Sequence, residues 1–461
     1  MKDFVNNTMT GKDLIELGYK PDKWFSDAIA YFTANPSEIA DAKNIINKMF
    51  YKQQKVFYPL ETPIHYERYI DSPYNYVFDI TDAELDNLVS VENTMDIVMR
   101  TPTAVKGAIM PDACPAGAVG NIPVGGLVVT DNAIHPSMHS ADICCSVMIT
   151  GYGNNSPKYI LDLVHNLTEF GSGGRRKEDK FDLPKELYEK IESNRFFSEK
   201  AKIAAKTHLG TQGDGNHFSF VGVSKNTGET CLVTHHGSRG LGAELYKAGM
   251  KCADKWRKKI CPTIEKVNGW IPFDSEDGIE YWNALQIVRE WTKLNHEVLH
   301  FGVREKVKYH SKLHFWNEHN FVFKDGNHFY HAKGSTPMLD KFIPDNTTGL
   351  RLIPLNMAQP VLVVSNHSEN TLGFAPHGAG RNYSRTKFLD KHKHTHTQYE
   401  IGELDVRFYF ELPDKSEFPS AYKNAESIKN QISKYNLANI EDEIMPYGCI
   451  MAGNTIRKTT K

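Results

Sequence analysis

The feature that most constrains this chain of 461 residues is a short glycine-rich stretch from Ala375 to Arg385, Ala-Pro-His-Gly-Ala-Gly-Arg-Asn-Tyr-Ser-Arg. Glycines let a backbone approach a phosphate without a Cβ in the way. His377 can act as a nucleophile or a proton carrier near neutral pH, and the two arginines can fork onto phosphate oxygens. The stretch therefore indicates phosphate chemistry, although a glycine turn with a surface histidine gives the same string.

Length and composition narrow the class of protein. Hydrophobic residues make up 40% and charged residues 24% of the chain, which is typical of a soluble globular protein. The sequence has no run of eighteen apolar residues, so we expect no membrane span, and the first residues lack the apolar core of a signal peptide, so we expect a cytoplasmic protein. A net charge of -2 gives no global attraction to nucleic acid, so any such binding must come from local patches.

A first group of candidate metal ligands stands at the start of a predicted strand. Asp142 offers a hard oxygen, and Cys145, three residues later, offers a sulfur that can bridge two ions. Seven cysteines in so long a chain indicate reduced thiols, with one or two on a metal, and not a disulfide framework. A buried structural cysteine is the alternative interpretation.

Two histidine motifs follow close together. The first is Gly-Thr-Gln-Gly-Asp-Gly-Asn-His-Phe, which contains His217, and the second is Val-Thr-His-His-Gly-Ser-Arg-Gly-Leu-Gly, which contains His235. Each places an imidazole among small residues that let a ligand come near. With Asp142 and Cys145 they predict a transition-metal site of mixed nitrogen, oxygen and sulfur donors.

A long amphipathic helix is predicted over 277–309, and His296 and His300 lie four residues apart in it. Such a pair can bind zinc, but the glutamate and third ligand of a metalloprotease pattern are missing, so we expect both on the helix surface. After the helix, His319 is placed to complete the metal set. Lys333, beside a glycine, offers a charge to a phosphate.

The motifs, taken in order, resemble the RtcB family of GTP-dependent RNA ligases. The series is Met110-Pro111-Asp112, Asp142-x-x-Cys145, Gly210-Thr211 with Asn216-His217-Phe218, His235-x-Gly237-Ser238-Arg239-Gly240-Leu241-Gly242, His319-Asn320, Lys333-Gly334 and His377-Gly378-Ala379-Gly380-Arg381. The likeness covers roughly residues 80 to 453. It implies a mixed α/β (α+β) fold, with a catalytic domain of several β-sheets and surrounding helices over 81–461. Residues 1–80 are expected to form a small helical extension that could contact RNA.

The resemblance also implies two Mn²⁺ ions. Cys145 would bridge them, Asp142 and His217 would complete one, and His235 and His319 would complete the other. Zinc would bind the same donors by intrinsic affinity, so the assignment of manganese comes from the family resemblance and not from the ligands.

In the family, a histidine at the place of His377 attacks the α-phosphorus of GTP and carries GMP. The guanylate then passes to an RNA 3'-phosphate, which the 5'-hydroxyl of a second RNA end attacks; a 2',3'-cyclic phosphate is opened first. An archease-like protein is a possible activator. The residues that the resemblance assigns to the nucleotide are Asn216, His217, Phe218, Arg239, His319, Asn320, Lys333, Pro354, Leu355, Asn356, Met357, Gly378, Ala379, Gly380 and Arg381, of which Arg239, Lys333 and Arg381 would neutralise phosphates.

The chain departs from the family pattern around the base of the nucleotide. The departures are Phe220 in place of a glutamate, His236 in place of a serine, Cys114 in place of a histidine, Leu355, Asn356 and Val361 in place of glycine and serines, and a segment 446–453 without the usual terminal lysine. We therefore expect conserved chemistry but an altered base pocket, with changed nucleotide selectivity or affinity.

Two other classes of function fit part of the pattern. A two-metal phosphohydrolase acting on nucleotides or RNA ends would use the same metals and arginines with water as nucleophile, and it would not need His377 as a nucleophile. A protein that only binds RNA ends would keep the basic contacts while losing metal ligands. The complete set of predicted ligands is evidence against the second class.

Overall fold

The computed structural model describes residues 8–17, 19, 21, 23–49, 74–79, 85–116, 121–309, 311–392 and 400–455. Helices and strands are interleaved through these ranges, so the mixed α/β class predicted from the sequence is confirmed. All seven cysteines lie in the described ranges and are free thiols. No helix there is both long and apolar enough to cross a bilayer.

The α-helices of the described ranges are, in chain order, α1 (Gly11–Glu16), α2 (Trp24–Ala34), α3 (Ala42–Met49), α4 (Leu85–Met99), α5 (Pro157–Leu167), α6 (Lys185–Ser193), α7 (Glu199–Thr207), α8 (Arg239–Ile260), α9 (Glu276–Val307), α10 (Arg385–Lys391) and α11 (Ala425–Lys434).

The first three helices form a small apolar cluster among themselves, which includes Leu14, Trp24 and Phe32. Helix α1 begins with a capping box, in which the Thr10 hydroxyl accepts the N–H of Asp13 at 3.3 Å while the Asp13 carboxylate accepts the N–H of Thr10 at 2.8 Å. The helical character of the described residues before 50 therefore follows from local capping and apolar spacing. The domain boundary near residue 80 stays a prediction.

The strands are β1 (Tyr74–Tyr76), β2 (Ala104–Cys114), β3 (Val124–Asp131), β4 (Ala133–Ile134), β5 (Cys145–Gly151), β6 (Glu169–Phe170), β7 (Thr211–Gly213), β8 (Phe218–Ser224), β9 (Thr230–His236), β10 (Ile271–Pro272), β11 (His314–Asp325), β12 (His328–Lys333), β13 (Ser335–Pro337), β14 (Arg351–Pro354), β15 (Val361–Ser365), β16 (Phe374–Pro376), β17 (Asp405–Phe408) and β18 (Asn439–Met451).

One 12-stranded sheet dominates the described residues, in the order β1-β2-β3-β12-β11-β5-β9-β8-β18-β15-β14, with β17 paired to β18. The hairpin from β11 to β12 turns at Gly326 and Asn327 of an Asp-Gly-Asn sequence, and Gly326 has a φ of +60°. At the centre of the sheet, β11, β5, β9 and β8 are consecutive antiparallel neighbours. These four strands carry or adjoin the predicted metal ligands.

Helix α9 spans 32 residues and agrees with the predicted helix over 277–309 to within two residues at each end. Leu285, Val288 and Trp291 on this helix are buried in the largest apolar cluster of the described residues. Burial of that face against the strands and against α8 holds the helix over the central sheet, because apolar area removed from water is the main stabilising term.

The prediction that His296 and His300 lie on the surface of α9 is wrong, since both are buried. The Thr234 hydroxyl lies 2.6 Å from His296 Nδ1 and 2.8 Å from His300 Nε2. Ser146 and Thr150 contact the remaining nitrogens at 3.0 and 2.7 Å. Burial lowers the pKa of both imidazoles well below the usual value. Hydroxyls from β5 and β9 make these positions suitable for neutral histidine.

Candidate active site

The central strands bring the predicted metal ligands together from positions far apart in the chain. Cys145 is the first residue of β5, His235 lies near the end of β9, and His319 lies on β11. His217 immediately precedes β8, and Phe218 is paired with His235 across β8 and β9. Antiparallel pairing of these strands therefore places all four donors in one region, and Asp142 is three residues before Cys145.

The donor atoms form two groups of three that share one thiol. Cys145 Sγ lies 3.1 Å from His235 Nε2, which lies 3.2 Å from His319 Nε2. On the other side, His217 Nε2 lies 2.9 Å from Asp142 Oδ2 and 3.6 Å from Cys145 Sγ. Within each group the donor atoms are all within 4.8 Å of one another. These are the two groups that the family resemblance implies, and the cluster is compatible with a metal site.

The imidazoles are oriented as metal ligands usually are. His217 Nδ1 donates to the carbonyl of Gln212 at 2.6 Å, and His235 Nδ1 donates to the carbonyl of Asn216 at 3.0 Å. With the proton on Nδ1, each Nε2 presents a lone pair to the shared thiol. Nε2 of His235 and Nε2 of His319 then face each other, an arrangement that a cation between them would stabilise.

The electrostatics of the cluster favour a cation. Burial lowers the pKa of His235 to about 3 and that of His319 well below its usual value, so both imidazoles are neutral. Burial raises the pKa of Asp142, but the interaction of its carboxylate with His217 outweighs burial, and the net pKa is lowered. The site thus combines neutral nitrogen donors, a carboxylate and a buried thiol whose ionisation needs a nearby positive charge.

His377 lies beside this cluster, with its ring centroid 5.0 Å from that of His319. The fully buried carboxylate of Asp112 accepts the main-chain N–H of His377 at 3.0 Å and its Nδ1–H at 2.6 Å. This contact fixes the protonated nitrogen and leaves the Nε2 lone pair for a reacting atom. Gly334 has a φ of +62°, and a Cβ there would lie 2.8 Å from the His377 ring, so glycine keeps room for it.

A cavity of about 490 Å³ opens in front of these groups, a volume suited to a small ligand. The predicted site residues that line it are Asp142, Cys145, Asn216, Phe218, His235, His319, Asn320, Lys333, Pro354, Leu355, Asn356, Met357, His377, Gly378, Ala379, Gly380 and Arg381. His217 and Arg239 are not among its lining residues. His217 adjoins the cavity through its contacts with Asp142 and Cys145.

The three predicted phosphate-binding cations differ in their hydrogen-bond partners and in whether they line the cavity. Lys333 lines the cavity, and burial lowers its pKa to about 8. The Arg381 guanidinium donates to Glu417 at 2.5 Å and also to the carbonyl of Ser416 at 2.7 Å. The Arg239 guanidinium donates to Thr211 Oγ1 at 3.1 Å and to the carbonyl of Gly171, away from the cavity lining. In this structure Lys333 is therefore the predicted cation with the most direct access to a ligand.

The family model for the tRNA-splicing ligase RtcB matches residues 170–452, well over half of the chain. The chain belongs to the RtcB family. The match includes β8, β9, β11 and the His377 loop. Asp112, Asp142 and Cys145 lie before it and join the same site through β2 and β5.

Individual members of the RtcB family are distant from this chain. The tRNA-splicing ligase RtcB of Thermococcus kodakarensis is 25% identical over 295 residues, which are 54% of this chain and 61% of that protein. The protein of the same name from Methanocaldococcus jannaschii is 24% identical over 304 residues, 55% of this chain and 31% of that protein. RNA-splicing ligase RtcB homolog 1 of Entamoeba dispar is 23% identical over 291 residues, 54% of each. The chain thus spans between 31% and 61% of the length of these three RtcB relatives.

Two carboxylates of this RtcB family member have contacts that the sequence did not predict. Asp112 stands in the motif Met-Pro-Asp, but nothing in that motif indicates which histidine it contacts. Glu417 has no motif of its own, yet it is buried and accepts bonds from Arg381 at 2.5 Å and Arg385 at 2.8 Å.

Proposed function

We propose that this chain is an RNA ligase that joins RNA 3'-phosphate or 2',3'-cyclic phosphate ends to 5'-hydroxyl ends, using GTP and Mn²⁺ through a GMP adduct on His377. The observation that carries the proposal is His377 itself. Its Nδ1 is bonded to the buried carboxylate of Asp112 at 2.6 Å, and its ring lies against the His319 ring of the candidate metal cluster. The division into a helical extension over 1–80 and a catalytic domain over 81–461 is part of this proposal.

The residues present fit two divalent ions. Cys145 would contribute to both, with Asp142 and His217 on one side and His235 and His319 on the other, because each group of three converges within 4.8 Å. When bound, Mn²⁺ supplies the positive charge that neutralises phosphate oxygens.

The first step follows from the hydrogen bonding of His377. The hydrogen bond to Asp112 keeps the proton on Nδ1 of His377, so Nε2 has the lone pair that attacks the α-phosphorus of GTP. The nitrogen–phosphorus bond forms while the bond from the α-phosphorus to the bridging oxygen breaks, and pyrophosphate leaves with that electron pair. Asp112 stabilises the positive charge that develops on the imidazole, and Lys333 is placed to hold the negative charge of the phosphates.

The next steps transfer the nucleotide to RNA. An oxygen of the RNA 3'-phosphate attacks the phosphorus of the adduct, and the bond to His377 Nε2 breaks. The 5'-hydroxyl of the second RNA end then attacks the activated 3'-phosphate, and GMP leaves. Arg381 and Arg385 lie at one side of the cavity, both bonded to Glu417. An RNA phosphate can compete with Glu417 for these guanidinium groups, which would give the RNA end a binding place.

A hydrolase is the less favourable alternative. Water activation would need neither an imidazole with a fixed tautomer nor the two contacts between Asp112 and His377. The position of His377 beside the metal donors instead favours a covalent step. Dependence on an archease-like activator stays a prediction that the family resemblance provides.

A joining assay tests the proposed function. One RNA carries a 3'-phosphate and a labelled 5' end, the other carries a 5'-hydroxyl, and both are incubated with the chain, MnCl₂ and GTP. We expect a joined product with the unmodified chain and none with His377→Ala. The matched control is His367→Ala, which removes a half-buried imidazole outside the cavity lining and should leave joining unchanged. Equal joining by both variants would contradict the proposal, and release of phosphate without joining would favour the hydrolase.

A further inference from the structure

One wall of the cavity is apolar, and it begins at the metal donors. The Phe218 ring lies 5.1 Å from the His235 ring. Across β8 and β18, Phe218 is paired with Met451, and Phe220 is paired with Cys449. Met357 and Val361 line the same wall and belong to the same apolar cluster. Because the phosphates are drawn to Lys333 and the metal donors, this wall is where the base of a bound nucleotide would be buried.

The side chains of this wall carry no oxygen or nitrogen atom that could accept a hydrogen bond. The two carboxylates that line the cavity, Asp142 and Glu417, are engaged with His217 and with Arg381 and Arg385 respectively. Asn356 also lines the cavity, and its Oδ1 accepts the N–H of Ala358 at 3.0 Å. The amino group of Asn356 offers a donor to a ligand, while Oδ1 already accepts one hydrogen bond and retains one lone pair.

Guanine and adenine differ in the hydrogen-bond donors and acceptors that they would present to this wall. The pairing edge of guanine has two donors, the ring N1–H and the 2-amino group, whereas that of adenine has the 6-amino donor and the N1 acceptor. A side-chain donor such as the Asn356 amide pairs with adenine N1 or guanine O6 but satisfies none of these donors. Each buried donor without a partner weakens binding by about tenfold. The wall thus penalises guanine more than adenine.

We propose that the base pocket does not select guanine and that ATP forms the His377 adduct at least as readily as GTP. The proposal rests on the proposed function for the chemistry at His377, but the selectivity comes from the wall formed by Phe218, Phe220, Met357, Val361, Cys449 and Met451. The base is held by burial and stacking against Phe218 and Phe220, interactions that both purines can make.

The test compares the two nucleotides on the unmodified full chain. The second-order rate constant for adduct formation is measured with MnCl₂ and either ATP or GTP labelled at the α-phosphate. We expect the ratio of the ATP rate constant to the GTP rate constant to be one or more. The ratio should be about ten if the additional guanine donor is left entirely without a hydrogen-bond partner. A ratio below one would overturn the inference.

Equilibrium binding separates failure of this inference from failure of the proposed function. AMP and GMP, each labelled, are measured by equilibrium dialysis with MnCl₂, a readout that needs no catalysis. Absence of an adduct with either triphosphate would contradict the proposed function, and the AMP and GMP affinities would still decide the base preference. Tighter binding of AMP supports the inference, and tighter binding of GMP overturns it.

Variants that add an acceptor make the test sharper. Phe220→Glu should lower the ratio of ATP to GTP rate constants by about tenfold, because it supplies a carboxylate for the guanine donors. Met357→Glu, in the loop before β15, is a second variant should Phe220→Glu not fold. Ile203→Glu, a position 61% exposed on α7, is the control for the added charge and should leave the ratio unchanged. Unchanged ratios in both cavity variants, each shown to be folded, would contradict this assignment of the wall.

Discussion

Asp112 binds His377 through a single carboxylate oxygen, which accepts both the main-chain N–H at 3.0 Å and the imidazole Nδ1–H at 2.6 Å. One contact fixes where the loop lies, and the other fixes which ring nitrogen carries the proton. Asp112 is fully buried on β2 of the large sheet, and His377 directly follows β16, which pairs with β13, so strands hold both partners of this contact. A rigid element that holds a reactive side chain in one tautomer is what nucleophilic catalysis by histidine requires.

Replacing Asp112 by asparagine should therefore slow formation of the His377 adduct by about 10²- to 10⁴-fold, because the amide no longer fixes the Nδ1 proton or stabilises the developing positive charge. Mn²⁺ binding should be unchanged, since Asp112 belongs to neither donor group. The measurement is the rate of adduct formation by gel and mass analysis. Asp182→Asn, at an exposed position, is the matched control. Adduct formation at the unmodified rate in Asp112→Asn would mean that this contact is only structural.

The two donor groups predict how many Mn²⁺ ions each variant binds. Cys145 belongs to both groups, so Cys145→Ala should abolish binding of both ions, whereas His319→Ala should remove one ion and leave the other. Equilibrium dialysis with metal analysis measures the stoichiometry. Cys252→Ala removes a half-buried free thiol outside the cavity and should bind as the unmodified chain does. Equal stoichiometry in Cys145→Ala and Cys252→Ala would contradict a bridging thiol.

Nucleotide affinity should fall at mildly alkaline pH. Burial lowers the pKa of Lys333 from 10.5 to about 8, so this lysine loses its charge as pH rises through that value. Cys114 and His139 are two titratable groups that interact with it, and neither is a carboxylate that would hold the proton. Because the charged form binds phosphate, we expect the nucleotide affinity to weaken by up to about tenfold per pH unit above the pKa of Lys333. A bound phosphate stabilises the charged form and so raises this pKa in the complex.

The measurement for Lys333 is the dissociation constant of GMP with MnCl₂ between about pH 7 and about pH 9.5. Lys333→Arg keeps its charge over that interval and should flatten the profile. The lysine would not be the phosphate-binding cation if the unmodified chain and Lys333→Arg gave the same alkaline profile.

The Thr234 hydroxyl should be important for stability. It lies between His296 Nδ1 and His300 Nε2 in a fully buried environment. Thr234→Val keeps the shape of the side chain but leaves two buried imidazole nitrogens without a partner, so we expect a loss of roughly 2–4 kcal/mol in the free energy of unfolding. Denaturant titration measures it. Thr94→Val on α4, whose hydroxyl donates to the Ser90 carbonyl near the surface, should change stability by less than about 0.5 kcal/mol.

Local sequence signals account for much of the fold and of the site. The capping box of α1, the Asp-Gly-Asn hairpin and the periodicity of α9 all depend on neighbouring residues, and the helix predicted over 277–309 is present. The candidate metal ligands can also be predicted from the sequence, because Asp142 and Cys145 are three residues apart and the histidines are flanked by small residues. The order of the motifs then indicated the family.

Other features depend on contacts between distant residues and could not be predicted. His296 and His300 have the spacing of surface residues on a helix, and only Ser146, Thr150 and Thr234 on two strands make their burial favourable. The pairing of Arg381 with Glu417 depends on the same kind of distant contact. Of the three predicted phosphate-binding cations, it leaves Lys333 with the most direct access to a ligand, which the order of residues along the chain does not indicate.

The most direct test of the central claim is detection of a nucleotide covalently bound to His377. The unmodified chain and His377→Ala are incubated with MnCl₂ and with GTP or ATP labelled at the α-phosphate, then denatured, separated by gel and mapped by mass analysis. We predict an acid-labile nucleotide adduct on the peptide that contains His377, absent from the variant and from samples without metal. Absence of the adduct with every nucleotide, or an adduct that persists in His377→Ala, would contradict the account.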